Sequence, residues 1–199
     1  MTYPPTTCFL LTPTNRYRRE LRRYARRDER CTTRTGIHDA SVVVGVETHA
    51  TAPRTGLDEL VDRTDLRWPR ACACGYVFAD DDALQVRFEN VYTRSDGGPE
   101  TTLHDAPAGA IWDAWWWPDD DKVDGKFLVV RLPNGRDWAI DSVASNCTRP
   151  GEKHQCWVRH GDAPRLTVDK DGDTCAAGAG SILAGDYHGF LRDGVLVSC

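Results

Sequence analysis

The stretch from Ile140 to Gly161, IDSVASNCTRPGEKHQCWVRHG, gathers Cys147, His154, Cys156 and His160 into one short region, and Cys72-Ala-Cys74-Gly75 adds two thiols upstream. A fold that brings such groups together is committed to a few arrangements, and a tetrahedral metal site is the most economical. Zinc favours thiolate and imidazole ligands because it is borderline soft and has no d-electron geometry to satisfy. Cys72 and Cys74 supply one half-site, on a tight turn relaxed by Gly75. Cys147, His154 and Cys156 supply the other, which leaves five candidates for four positions. The spacing, Cys-x-Cys with Cys-x6-His-x-Cys, is not a standard zinc pattern, and separate buried cysteines would produce the same letters. A shell closed by soft ligands leaves no position for water, so the zinc expected here is structural. Cys147 with His154 or His160, oriented by Asp141, also sketches a thiol nucleophile and hence a metal- or Cys/His-dependent hydrolase. The ligand role uses the same residues better.

A chain of 199 residues with eight cysteines can bury one good-sized core and falls short of two full domains. No apolar run approaches the roughly 20 residues of a membrane span, and the first residues carry no basic segment ahead of an apolar one, so neither a membrane partner nor a signal peptide is expected. That places the chain in a reducing compartment, bacterial cytoplasm or virion, where cysteines serve as ligands or packing groups rather than disulfides.

The net charge of -5 hides an asymmetry: nine arginines and only three acids lie between Arg16 and Arg34. Residues 1 to 13, broken by Pro4, Pro5 and Pro13, read as an extended arm. Thr14 or Asn15 then caps a helix running to about Arg30, with Tyr17, Leu21, Tyr24 and Ala25 as its apolar stripe. Arg18, Arg19, Arg22, Arg23, Arg26 and Arg27 cover the rest of that cylinder. Such a helix suits phosphate oxygens, hence nucleic acid or an acidic protein surface, although a charge run is equally read as a solvated face.

Downstream, hairpins dominate the pattern. Ser41 to Glu47 and Leu84 to Tyr92 alternate like strands, and a short helix is expected over 57 to 63. Phe127 to Leu132 and Asp137 to Asp141 flank the turn signal Pro133-Asn-Gly135, and a last hairpin turns at Arg192-Asp-Gly194. Strands are also expected over 155 to 160 and 165 to 169. Asp169-Lys-Asp171-Gly-Asp173 imitates half an EF-hand loop but lacks its glycine and bidentate Glu, so it reads as a turn. Trp112, Trp115, Trp116 and Trp117 cannot all face inward from one element, which makes Trp115, Trp116 and Trp117 candidates for a partner contact. No internal repeat is evident. The expected fold is α+β: an arm and basic helix over 1–35, then one compact, mainly antiparallel β-rich domain over 36–199.

The segments CACGYVF, WAIDSVASNC, HQCWVRHG and TVDKDGDTCAAGAGSI, with FLLTPTNRYRRELRRY near the start, resemble an uncharacterised family of actinobacterial phages and related actinobacterial sequences. The resemblance spans nearly the whole chain. It implies a phage or prophage source, and it carries neither an activity nor any functional residues. The function expected is a non-catalytic, zinc-stabilised phage-type protein that meets a negatively charged partner through its arginines. A structural virion component making contacts through the Trp cluster and the arm is the alternative.

Overall fold

The computed structural model describes residues 2–25, 31, 37–48, 61–144, 146–149, 152, 154, 156–170, 175 and 180–199. Its regular structure is 47% strand and 2% helical, and no α-helix occurs among the described residues. The chain is therefore all-β rather than α+β, and the basic N-terminal helix is not formed.

In its place stands β2, Phe9–Ala25, the longest strand among the described residues. It pairs antiparallel with β3, His38–Thr48, with a register shift between Arg19 and Glu20. The misreading has a physical cause. Tyr17, Leu21 and Ala25 are spaced by four, and a spacing of four satisfies a strand's period of two as readily as one face of a helix. Pairing then supplies what a lone basic helix would lack. Arg19 meets Glu47 at 2.8 Å and Arg22 meets Asp39 at 2.6 Å, each diagonally across the β2–β3 ladder. Arg18 reaches Glu20 at 2.7 Å, two residues along its own strand, and Glu89 at 3.2 Å.

Two compact units divide the chain, one of Met1–Thr12 with Thr93–Cys199, the other Pro13–Tyr92. The larger unit contains two strand layers. β1 (Thr6–Thr7), β12 (Val195–Ser198), β11 (Tyr187–Arg192), β9 (Thr167–Asp169) and β8 (Val158–His160) are neighbours in that order, and β10 (Ile182–Ala184) also pairs with β11. The second layer runs from the first residues of β2 through β5 (Ala110–Asp113) and β6 (Leu128–Arg131) to β7 (Asp137–Ala139). Only the β2–β5 contact, Phe9 opposite Ala110, is parallel among these pairs. Ile111, Leu128 and Val130 of one layer meet Val168, Ile182, Leu191 and Leu196 of the other in a single apolar cluster. The two hairpins expected at Asn134-Gly135 and Asp193-Gly194 are present, with φ of 77° at Gly135 and 71° at Gly194.

The smaller unit is built on the rest of β2, on β3 and on β4 (Ala83–Arg94), which also pairs with β2. One of its apolar clusters comprises Ala25, Cys31, Cys72 and Phe78, with Ala40 and Tyr76 against them, and Tyr17, Leu21, Val61, Val91 and Tyr92 are buried as well. Arg23 is 6% exposed and donates to the carbonyls of Pro69 at 3.3 Å and Ala79 at 2.5 Å. Most of the helix expected over 57 to 63 lies outside the described residues, as do Arg26, Arg27, Arg30, Asp171 and Asp173.

Candidate metal centres

Six of the eight cysteines fall into two separate clusters, each completed by one histidine. Cys31, His38, Cys72 and Cys74 form the first, within the smaller unit; Cys147, His154, Cys156 and Cys175 form the second, within the larger. In each, one ligand atom per residue lies within 4.8 Å of every other. The five residues expected to compete for one site are thus divided between two, and none is surplus.

The first cluster is assembled by strand ends and a tight turn. β2 and β3 pair as far as Ala25 opposite His38, which fixes the imidazole at the start of β3. Cys72 N–H donates to the Tyr76 carbonyl at 2.8 Å and Gly75 N–H to the Cys72 carbonyl at 2.9 Å. Gly75 takes a φ of 94°, which a side chain would resist, and so lets Cys72 and Cys74 sit on one knuckle. Cys31 Sγ lies 3.6 Å from Cys72 Sγ, and His38 Nδ1 lies 3.1 Å from Cys74 Sγ. The His38 ring stacks on Tyr76 at 4.3 Å, and Tyr76 meets Phe78 edge-on. Cys31, His38 and Cys72 are buried, whereas Cys74 is exposed.

The second cluster forms where the chain leaves β7 and returns as β8. Cys147 Sγ and Cys156 Sγ lie 3.1 and 3.2 Å from His154 Nε2, and Cys175 Sγ is 4.0 Å from Cys147 Sγ. The other ring nitrogen, Nδ1, faces the Glu152 carbonyl at 2.7 Å. A carbonyl only accepts, so Nδ1 carries the proton and Nε2 presents its lone pair to the sulfurs, as a metal-ligating imidazole does. Arg149 N–H donates to Cys147 Sγ at 3.3 Å, and Lys170 Nζ ties the carbonyls of Cys156 and Cys175 at 3.3 and 2.7 Å. Burial pushes the Cys156 thiol up to about 11, with its neighbouring thiols adding to the rise. A divalent cation would reverse that preference, since a coordinating thiol is deprotonated outright.

Bond lengths of about 2.3 Å to sulfur and 2.0 Å to nitrogen give tetrahedral edges of about 3.8 Å between sulfurs and about 3.5 Å between sulfur and nitrogen. The sulfur pairs at 3.6 and 4.0 Å bracket the first value. The sulfur–nitrogen gaps of 3.1 to 3.2 Å are shorter than the second, so a metal would need each imidazole to draw back by a few tenths of an ångström. Both clusters have the donor set, size and burial to hold a metal ion.

The sequence reading missed Cys31, His38 and Cys175. One signal was present: Cys31 and His38 are separated by the same six residues as Cys147 and His154. Cys175 has no comparable mark. Cys8 and Cys199 belong to neither cluster; Cys8 is buried, its thiol pushed up to about 12 by that burial, and Cys199 is exposed. His160 pairs with Asp169 at 2.9 Å, and Asp141 bonds Arg159 and the Leu128 N–H, so neither orients Cys147. Of the aromatic candidates, Trp112 is buried, while Trp115, Trp116 and Trp117 are 60%, 50% and 43% exposed.

No protein-family model, curated protein or solved structure matches the chain.

Proposed function

We propose that the protein is a non-catalytic binding scaffold of the phage type whose two β units are each closed by one structural zinc ion in a Cys3His shell. The observation that carries this reading is the pair of four-residue clusters, each with every ligand atom within 4.8 Å of the rest. Zinc is the ion chosen because three thiolates and one imidazole suit it better than they suit hard cations, and because four protein ligands close its tetrahedron. A closed shell leaves no site for a metal-bound water, so the ions hold structure rather than perform chemistry. The face offered to a partner is the exposed Trp115–Trp116 pair, set edge to face at 5.7 Å. Exposed aromatic area of this kind supplies contact at small entropic cost.

Thiol alkylation before and after chelation tests it. Cys31, Cys72, Cys74, Cys147, Cys156 and Cys175 should resist modification until the metal is stripped, while exposed Cys199 reacts throughout. Cys74 is the telling position, because it is exposed and burial does not protect it. A Cys74 as reactive as Cys199 in freshly purified protein contradicts the proposal.

A further inference from the structure

The two clusters share a donor set and differ in what solvent can reach. In the second, Cys156 and Cys175 are buried and Cys147 is half-buried; in the first, Cys31 and Cys72 are buried and Cys74 is exposed. Cys147 Sγ accepts the N–H of Arg149, two residues on, at 3.3 Å, and Cys74 Sγ accepts that of Tyr76 in the same way. Hydrogen bonding therefore does not separate these two sulfurs, and exposure does. Cys74 Sγ also lies within 4.8 Å of Cys31 Sγ and Cys72 Sγ, which are themselves 3.6 Å apart. Cys199 is exposed as well but belongs to neither cluster.

Cysteine oxidation needs a thiolate that solvent can reach, and it stops at a disulfide where a second thiolate waits beside the first. A metal meets the thiolate requirement by itself, since a coordinating thiol is deprotonated outright. Coordination slows attack by the sulfur without abolishing it, because a bound thiolate keeps a lone pair. A metal-bound Cys74 therefore reacts later than free Cys199 and earlier than any other bound sulfur.

We propose that Cys74 is an oxidation site through which a peroxide releases the metal of the first cluster. The proposal rests on the zinc reading above. The Cys74 thiolate attacks a peroxide oxygen: the S–O bond forms, the O–O bond breaks, and a hydroxide leaves with the electron pair. The thiolate of Cys31 or Cys72 then attacks the Cys74 sulfur, forming the S–S bond and expelling a second hydroxide. Each of the two thiolates has given up one electron, the peroxide has gained two, and solvent protons turn both hydroxides into water. The shell falls from four protein ligands to two, so the ion is released. Cys31 and Cys72 pack in one buried cluster with Ala25 and Phe78, so the change is felt inside the smaller unit. The second cluster, with no exposed sulfur, keeps its ion.

The test is graded hydrogen peroxide on the full-length protein carrying Cys199→Ser, which removes the exposed thiol outside the clusters. Native mass spectrometry reads zinc, and proteolytic mapping reads disulfides. The protein should lose one of two ions, and its denatured chain should be two hydrogens lighter, with the bridge joining Cys74 to Cys31 or Cys72. A thiol reductant with added zinc should restore the starting state. Cys74→His keeps a fourth ligand and removes the exposed sulfur, so it should hold two ions and lose the first at least about tenfold more slowly. Should that variant fail to hold zinc at the first cluster, the disulfide map of the parent decides alone. No zinc at the first cluster before oxidation contradicts the scaffold reading and takes this proposal with it. Zinc that is present there but leaves after, or together with, that of the second cluster contradicts this proposal alone. So does a bridge among Cys147, Cys156 and Cys175 that forms before Cys74 is oxidised, or a zinc-loaded Cys74→His that loses its ion at the parent's rate.

Discussion

Single side chains show how much of this protein depends on groups placed where they must be satisfied. Arg23 was expected to face a phosphate; instead it lies buried, with its guanidinium spent on two carbonyls and set over the rings of Trp68 and Phe78 at 5.9 and 5.5 Å. Arg23→Ala should therefore cost about 2–4 kcal/mol of stability, because it opens a void and strands two acceptors. Chemical denaturation of the variant checks this, and a loss below about 0.5 kcal/mol would mark the arginine as a surface group after all. Asp141 makes a second case. Its folded pKa of about 6 stands above the ordinary value, chiefly through burial. The folded state thus takes up a proton between about pH 6 and pH 4 that the unfolded chain does not, and this one group adds stability as pH falls through that window. The Asp141 carboxyl carbon should titrate near 6 by NMR, and a midpoint near 4 would mean that Arg159 outweighs burial. Residues of this kind are hard to read from a chain, because an arginine's letter does not say whether its partner is solvent, phosphate or a carbonyl from a distant turn.

At the level of elements, hairpins were legible and β2 was not. Asn134-Gly135 and Asp193-Gly194 announce their turns because positive φ is cheap for these residues, and the flanking alternation fixes which faces are buried. The 17 residues of β2 mislead because their apolar positions fit both periods and because arginine is a good helix former. What decides the matter is non-local: Glu47, Asp39 and Glu89 lie on strands that pair only after the chain has folded back. The metal-site residues divided along the same line. Short-range pairs such as Cys72 and Cys74, or His154 and Cys156, could be found by spacing, whereas Cys175 joins from beyond β9 and only the fold brings it in. The knuckle holding the first cluster offers a direct check. Gly75→Ala forces a side chain into a φ of 94°, at a cost of about 1–2 kcal/mol, and should weaken metal retention at the first cluster alone. Equal loss at both clusters would show that the turn does not position Cys72 and Cys74 as described.

For the whole molecule, the two units differ in how a metal would bear on their cores. The two-layer apolar cluster of the larger unit contains none of the candidate ligands, while one buried cluster of the smaller unit includes two of them, Cys31 and Cys72. Since a structural metal contributes its binding free energy to folding, chelation should unfold Pro13–Tyr92 while much of the larger unit's core survives. Hydrogen exchange would show this as lost protection in β3 with retained protection in β11. The zinc proposal itself turns on stoichiometry. Native mass spectrometry of protein purified without added metal should give two zinc ions per chain, falling to one in Cys72→Ser and to one in Cys156→Ser. A parent that carries a single ion, or none, would contradict it.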